Sequence, residues 1–476
     1  MPKLAFLLLL TCACRAPEGH GRTVLFASGA DLQSINPLLT IHPLAKQVQR
    51  YVLLTTLIRY DSTLTPRPYL ARAWRWSAEG RTLTFALRSD VRWHDGPRTT
   101  ARDVVWTLEA ARDPATGYPR ANDLAPLASA SVADDSTVVL RFANRTDGRG
   151  LPDVLADLAI LPAHLLDTVP HARLREAEWN RRPVGNGPFR FVAHEPNRRW
   201  VFAANPDFPA GLGGPPAFDR LVVAVVDEPT TKLAALVAGE LDFAGINPAH
   251  ASFVRRHAGL AVVDYPLLLP YGLLFNTRRP PFDDRRVRLA AALAIDRREI
   301  VDGYLFGFGT VADGPVTPTL PQYLLVPPLP LDPDSSRRLL GGRHPRVEIL
   351  TVGSGEAPLE QMLQARLNAV GFDVSIRELE NAAFLARVNG PGHDFTAAVM
   401  GVQGDLGLGF LQPLGDVTGV PIPGDPAAAQ RVFAEQIPVA WLYHARGVQG
   451  MNRRVLGVQM DVRGELPTVA TWRIAP

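Results

Sequence analysis

The sequence predicts an α/β fold built from more than one domain. Three observations carry that expectation. Residues 347–400 read strand, helix, strand, helix, strand, the βαβ alternation of an α/β lobe. Residues 82–88 (TLTFALR) alternate apolar and polar, as a half-buried strand does. Residues 281–318 carry a helix start, an apolar stripe, a second acidic cap and a Gly/Pro exit. The chain has 476 residues with 46% apolar content, room for two or three domains or one large discontinuous fold.

The N-terminal stretch MPKLAFLLLLTCAC places Lys3 before a short apolar run. The run falls short of the roughly 20 apolar residues that span a bilayer. It has the form of a signal-peptide core. Both cysteines of the chain, Cys12 and Cys14, stand at its end, and at a spacing of two they make a poor disulfide. The segment resembles a bacterial lipobox, with Ala13 before Cys14 as the acylated residue. Thr11 replaces the usual Leu, and Cys12 is the alternative. Residues 1–14 are therefore expected to be a lipoprotein-type signal and 15–22 a polar tether.

Residues 23–28 read as a strand and 34–37 (SINP) as a turn, since the residue before Pro avoids helix. Asp95-Gly96 is a hairpin turn signal, and Thr100 with Asp103 is an N-cap pair before VVWTLEAARD. His94 beside Asp95 invites a metal or catalytic reading, but nothing is spaced to complete such a site. The loop PVGNGPF at 183–189 has two glycines without a phosphate-loop fingerprint. It reads as a tight loop approaching another lobe or a ligand. Residues 265–277 (YPLLLPYGLLFNT) form a long extended run interrupted by Pro266 and Pro270, which suits an edge or a crossover. In PFDDRRVRLAAALAIDRREI (281–300), Asp283 is the expected first cap, and Asp296 with Glu299 the second. Residues 327–333 are Pro-rich and linker-like. In the next helix Leu359, Met362, Leu363, Leu367 and Val370 share one face.

Several of these stretches, in this order, resemble the peptide/nickel class of solute-binding proteins that serve ABC importers (extracellular solute-binding protein family 5, dipeptide- and oligopeptide-binding-protein-like). They are VRWHDG with TARDV at 91–104, PVGNGPF, the AGELD segment ending at Asp242, PFDDRRVR…AIDRREI, and IPVAWLY at 437–443. Asn186 stands where the family usually has Thr. The resemblance covers about residues 24–462. It implies a bilobal periplasmic-binding-protein-like fold (type II, cluster C) with an extra inserted domain. Lobe I would comprise 23–50, 165–262 and 451–476, the inserted domain 51–164, and lobe II 263–450. Crossing segments are expected near 265–277 and 437–450. Only thirty residues separate Asp405 from Gln436, so the C-terminal lobe is expected to be shortened.

The resemblance implies a function without catalysis: capture of a peptide-like solute between the lobes for delivery to an ABC permease. In peptide-binding members a loop Asp receives the ligand ammonium. Here Gly401-Val-Gln403-Gly-Asp405 matches that loop, with Val402 in place of Trp. Asp405, Gln403 and Gly401, with Tyr271 from the first crossing, are the candidate ligand contacts. Cys14 is the candidate lipidation site, making this an exported periplasmic or cell-surface protein held by a lipid anchor. A monomer is expected, with no metal and no cofactor. Nickel-chelate, haem or sugar binding, or a receptor-like role without transport, are the alternatives. The formal charge of +3 without a basic run argues against nucleic acid. No nucleophile elbow, zinc-protease helix or P-loop occurs, which disfavours an exported hydrolase.

Overall fold

Strands Leu260–Phe275 and Val439–Asn452 run antiparallel through the centre of the molecule. The computed structural model describes residues 21–40, 42–144, 153–353 and 355–475. Cys12 and Cys14 lie outside them. The pairing of the two long strands is in two parts: residues 260–266 with 446–452, and 270–274 with 439–444. The register breaks between Pro266 and Pro270, where two residues without a backbone N–H cannot continue the ladder. The two prolines, which suited an edge or a crossover, stand at this break in the register.

Each part of this spine belongs to a different half of one eleven-stranded sheet. On one side of the break, Val439–Asn452 pairs with Phe243–Gly245, followed by Thr23–Ser28, Arg220–Val225, Arg199–Ala204 and Phe189–Glu195. On the other side, Leu260–Phe275 pairs with Ala397–Gly401, followed by Arg346–Val352 and Asp373–Leu379. The molecule is thus a bilobal α/β protein whose lobes share two crossing strands. A separate four-stranded antiparallel sheet is ordered Ala71–Trp76, Thr82–Leu87, Thr137–Phe142, Leu127–Asp134. In Thr82–Leu87 every second side chain is buried, as its alternation predicts.

The central strands of the second lobe bury side chains on both faces. Leu273, Ile349, Ala397 and Ala440 face one cluster with helices Arg285–Ala294 and Pro358–Val370. Leu274, Leu350, Ala398 and Trp441 face another with Asn381–Val388, Leu411–Thr418 and Pro426–Gln436. The last two helices are what the thirty residues after Asp405 become. In Pro358–Val370, Leu359, Leu363, Leu367 and Val370 are buried as expected.

Residues 281–304 differ in detail from the expected pair of capped helices. Asp284 caps the first helix, its side chain accepting from Arg286 N at 2.8 Å, while Asp283 Oδ1 accepts from Asp284 N. The cap falls one residue later because either acid can reach the first free amides, and the chain starts its helical turn at Arg285. Asp296 caps Arg297–Glu299 as expected, but Glu299 turns outward to Arg366 instead of reaching back. The segment then widens into a π-turn, Ile300–Tyr304. Two arginines here are buried. Arg288 donates to Phe282 O at 2.7 Å and Gln436 O at 2.8 Å, and Arg297 donates to Trp441 O at 2.6 Å. Burial lowers the Arg297 guanidinium to about 10. These bonds tie the helices to the start of the second crossing strand.

Candidate functional site

The loop that follows Ala397–Gly401 is anchored by backbone. Gly401 pairs with Tyr271, Val402 N donates to Pro270 O at 2.8 Å, and Gly404 N donates to Leu268 O at 2.7 Å. Tyr271 and Gly401, both candidates from sequence, are therefore neighbours. A Cβ on Gly401 would lie 2.7 Å from the Tyr271 ring, so only glycine lets that ring cross the strand end. Gln403 is exposed, and its amide donates only to Gly404 O at 3.3 Å. Asp405 Oδ1 accepts from Gly409 N at 3.1 Å, which curls the loop. Asp405 also lines a small crevice with Leu268, Pro270, Pro315, Thr317, Leu320 and Phe410.

Across from this loop stands a charged group in the first half of the chain. Tyr60 donates to Asp153 Oδ1 at 2.5 Å. A Cβ on Gly407 would lie 2.9 Å from Asp153 Oδ2 and 3.5 Å from Asp405 Oδ1. The Asp405 loop thus meets the opposite side of the interlobe junction at Asp153. Leu64 and Val462, from outside the second lobe, also pack against that lobe's core. Burial raises the Asp153 carboxyl above its ordinary range, and the charge of Asp405 adds to the rise.

Behind Asp153 is Asp157, enclosed by Lys46 at 2.6 Å, Arg120 at 2.6 Å and Arg50. Burial alone would raise the Asp157 carboxyl; the three cations hold it well below the carboxylate range instead. Burial works against the charged Arg120, yet Asp157, Asp123 and Asp405 together hold its pKa up. Asp405 therefore projects its field onto Arg120 and Asp153 across the junction. Sequence reasoning missed Tyr60, Arg120 and Asp153. They lie in stretches without a chemical motif, and only folding brings them opposite Asp405.

The two motifs that resembled functional sites are structural. His94 Nε2 lies 3.0 Å from Gly187 O, and its Nδ1 accepts from Gly185 N at 3.2 Å. Burial lowers this imidazole to about 4, so it is neutral at pH 7. The glycines of the 183–189 loop approach the backbone of Val52 and Leu53, not a ligand. A Cβ on Gly185 would lie 2.0 Å from Leu53 O. Asn186 Oδ1 accepts from Thr55 N at 2.8 Å, and its amide donates to Thr99 Oγ1 at 3.1 Å.

A bilobal sheet spanned by two crossing strands, with an acidic loop at the lobe junction, defines a solute-binding protein. The model of the bacterial extracellular solute-binding proteins, family 5, matches residues 65–420, and the chain belongs to that family. Among similar proteins is the probable di/tripeptide-binding protein 5 of Pseudomonas aeruginosa, 30% identical over 434 residues, 85% of this chain and 78% of that one. The oligopeptide-binding protein AppA of Bacillus subtilis, solved with a nonapeptide, superposes with a TM-score of 0.78 at 22% identity. That alignment covers 96% of this chain and 100% of the other. The ABC transporter substrate-binding protein CtaP of Listeria monocytogenes reaches a TM-score of 0.85 at 18% identity, with 96% and 100% covered. At such identities the two structures establish the shared fold.

Proposed function

We propose that this protein is an exported receptor that captures peptide-like solute between its lobes and hands it to an ABC permease. The observation that carries this reading is the placement of Asp405. It sits on a backbone-anchored loop at the lobe junction, and its charge reaches Arg120 and Asp153 on the far side. A carboxylate so placed suits a ligand ammonium, because a charge-assisted hydrogen bond gains strength when water is excluded. Gly401, Gln403 and Tyr271 are assigned to the same face of the second lobe. The P. aeruginosa relative is named for di- and tripeptides, and the CtaP neighbour for an ABC transporter. Lobe I at 23–50, 165–262 and 451–476, the inserted domain at 51–164 and lobe II at 263–450 are part of the proposal.

A ligand that binds only the folded state raises stability by RT ln(1 + [L]/Kd), about 2.7 kcal/mol at a hundredfold excess over Kd. A thermal-shift screen of di- to octapeptides should therefore find stabilising ligands. A screen across that whole range without a shift would remove the peptide reading. The protein acts as a monomer held to the membrane through acylated Cys14. Cys14→Ser expressed with the complete leader should lose label from a radioactive fatty acid. Retained label would move the acylation to Cys12.

A further inference from the structure

The second lobe contains a buried acid that the proposed ammonium site does not use. Glu360 lies in the first turn of Pro358–Val370 and is 7% exposed. Thr351 Oγ1 donates to its Oε1 at 2.7 Å. Among the described residues no Lys, Arg or His forms an ion pair with it. A buried carboxylate without a counter-charge is costly, so such a position suits a cation.

Tyr271, Tyr304 and Tyr443 pack in the same cluster as Leu359, the neighbour of this acid in the helix's first turn. The rings of Tyr271 and Tyr443 stack at 4.8 Å and 15°. Burial, and after it the charge of Glu360, raises the Tyr271 and Tyr304 hydroxyls. The Tyr443 hydroxyl is raised by burial, by Tyr271 and Tyr304, and by Glu360. Thr351 and Gly401 stand at the carboxyl ends of the parallel strands Arg346–Val352 and Ala397–Gly401, and Glu360 opens the helix that follows the first of these. That edge of an open α/β sheet is where ligands lodge. The Tyr271 ring also crosses Gly401, the start of the Asp405 loop. Tyr271 and Tyr304 are half-buried while Tyr443 and Glu360 lie deeper, so the group has a rim and a floor.

We infer that Tyr271, Tyr304, Tyr443 and Glu360 form a subsite for a cationic side chain of the solute, an alkylammonium or a guanidinium. Aromatic faces attract a cation through their quadrupole, and a desolvated carboxylate supplies the counter-charge. The inference rests on the peptide-receptor reading and makes it specific: peptides with Lys or Arg are preferred over those with an uncharged side chain of equal length.

The test compares Ala-Lys-Ala with Ala-norleucine-Ala by isothermal titration of the native protein and of Glu360→Gln. Gln keeps an acceptor for Thr351. The native protein should favour the lysine peptide by about tenfold or more, and the preference should collapse toward one in Glu360→Gln. Tyr304→Leu, at a half-buried position, should reduce the same preference by removing one aromatic face. Equal affinities in the native protein, or a preference that survives Glu360→Gln, overturn the subsite. n-Butylammonium alone is the third arm, read by thermal shift against 1-pentanol. If neither peptide binds, the peptide reading is decided by the di- to octapeptide screen, and a shift by butylammonium that vanishes in Glu360→Gln still sustains the cation subsite. If butylammonium gives no such shift either, the subsite falls too.

Discussion

Asp153 Oδ2 and Asp405 Oδ1 face one another across the lobe junction. They lie 2.9 Å and 3.5 Å from a single point, the Cβ position of Gly407, and so are at most 6.4 Å apart. Each comes from a different half of the chain. The Asp405 charge this close disfavours the charged form of Asp153, and a cation between the two would relieve it.

Asp405→Ala should weaken peptides that carry a free amino terminus by about tenfold to a hundredfold, the loss of one hydrogen bond to a charged group. Titration of trialanine and its N-acetyl derivative reads the effect. The acetylated peptide, already lacking the ammonium, should lose much less. Equal losses for the two peptides would take the ammonium away from Asp405.

Asp153 gives a pH dependence of definite sign. Its folded-state pKa is raised above the ordinary 3.8, first by burial and then by Asp405 and Asp157, against the Tyr60 bond and the Arg120 charge. The folded protein therefore holds this proton more tightly than the unfolded chain does. Its charged form costs stability at neutral pH, and the cost fades as pH falls through the folded-state pKa. Asp153→Asn should raise the melting temperature at pH 7, and the gain should shrink toward pH 4. A gain that grows on acidification would contradict the raised pKa.

Gly185→Ala should be severely destabilising. The new Cβ would lie 2.0 Å from the Leu53 carbonyl oxygen, and 2.8 Å from Leu53 Cδ1. A backbone atom cannot step aside as a flexible side chain can, so the cost should exceed the roughly 1–3 kcal/mol of ordinary overpacking. Thermal or urea denaturation of the variant measures it. An unchanged midpoint would mean that the 183–189 loop moves freely away from Leu53.

The second lobe was legible because its signals are local. Residues 347–400 alternate strand and helix within short windows, so period and length suffice. The caps at Asp296 and Thr100 were legible for the same reason. Asp283 failed as a cap by one residue, since two adjacent acids offer the same chemistry and the backbone chooses between them. The glycine loop was legible as a close approach, but not what it approaches. Leu53 is more than 130 positions away, and no local pattern encodes that meeting.

What the amino-acid sequence determined alone was the class of fold, the interruption of one long strand at Pro266 and Pro270, and the loop that carries Asp405. Periodicity, proline chemistry and capping act over a few residues and can be read along the chain. Tertiary structure alone decided the composition of the site. It set Asp153, Tyr60 and Arg120 near Asp405, and it buried Glu360 in the part of the second lobe that holds Tyr271, Tyr304 and Tyr443, with no ion-pair partner among the described residues. Burial and Coulomb interaction depend on distance in space: Asp405 meets Asp153 where distant parts of the chain come together, and Glu360 meets its tyrosines where the strands and helices of the second lobe pack.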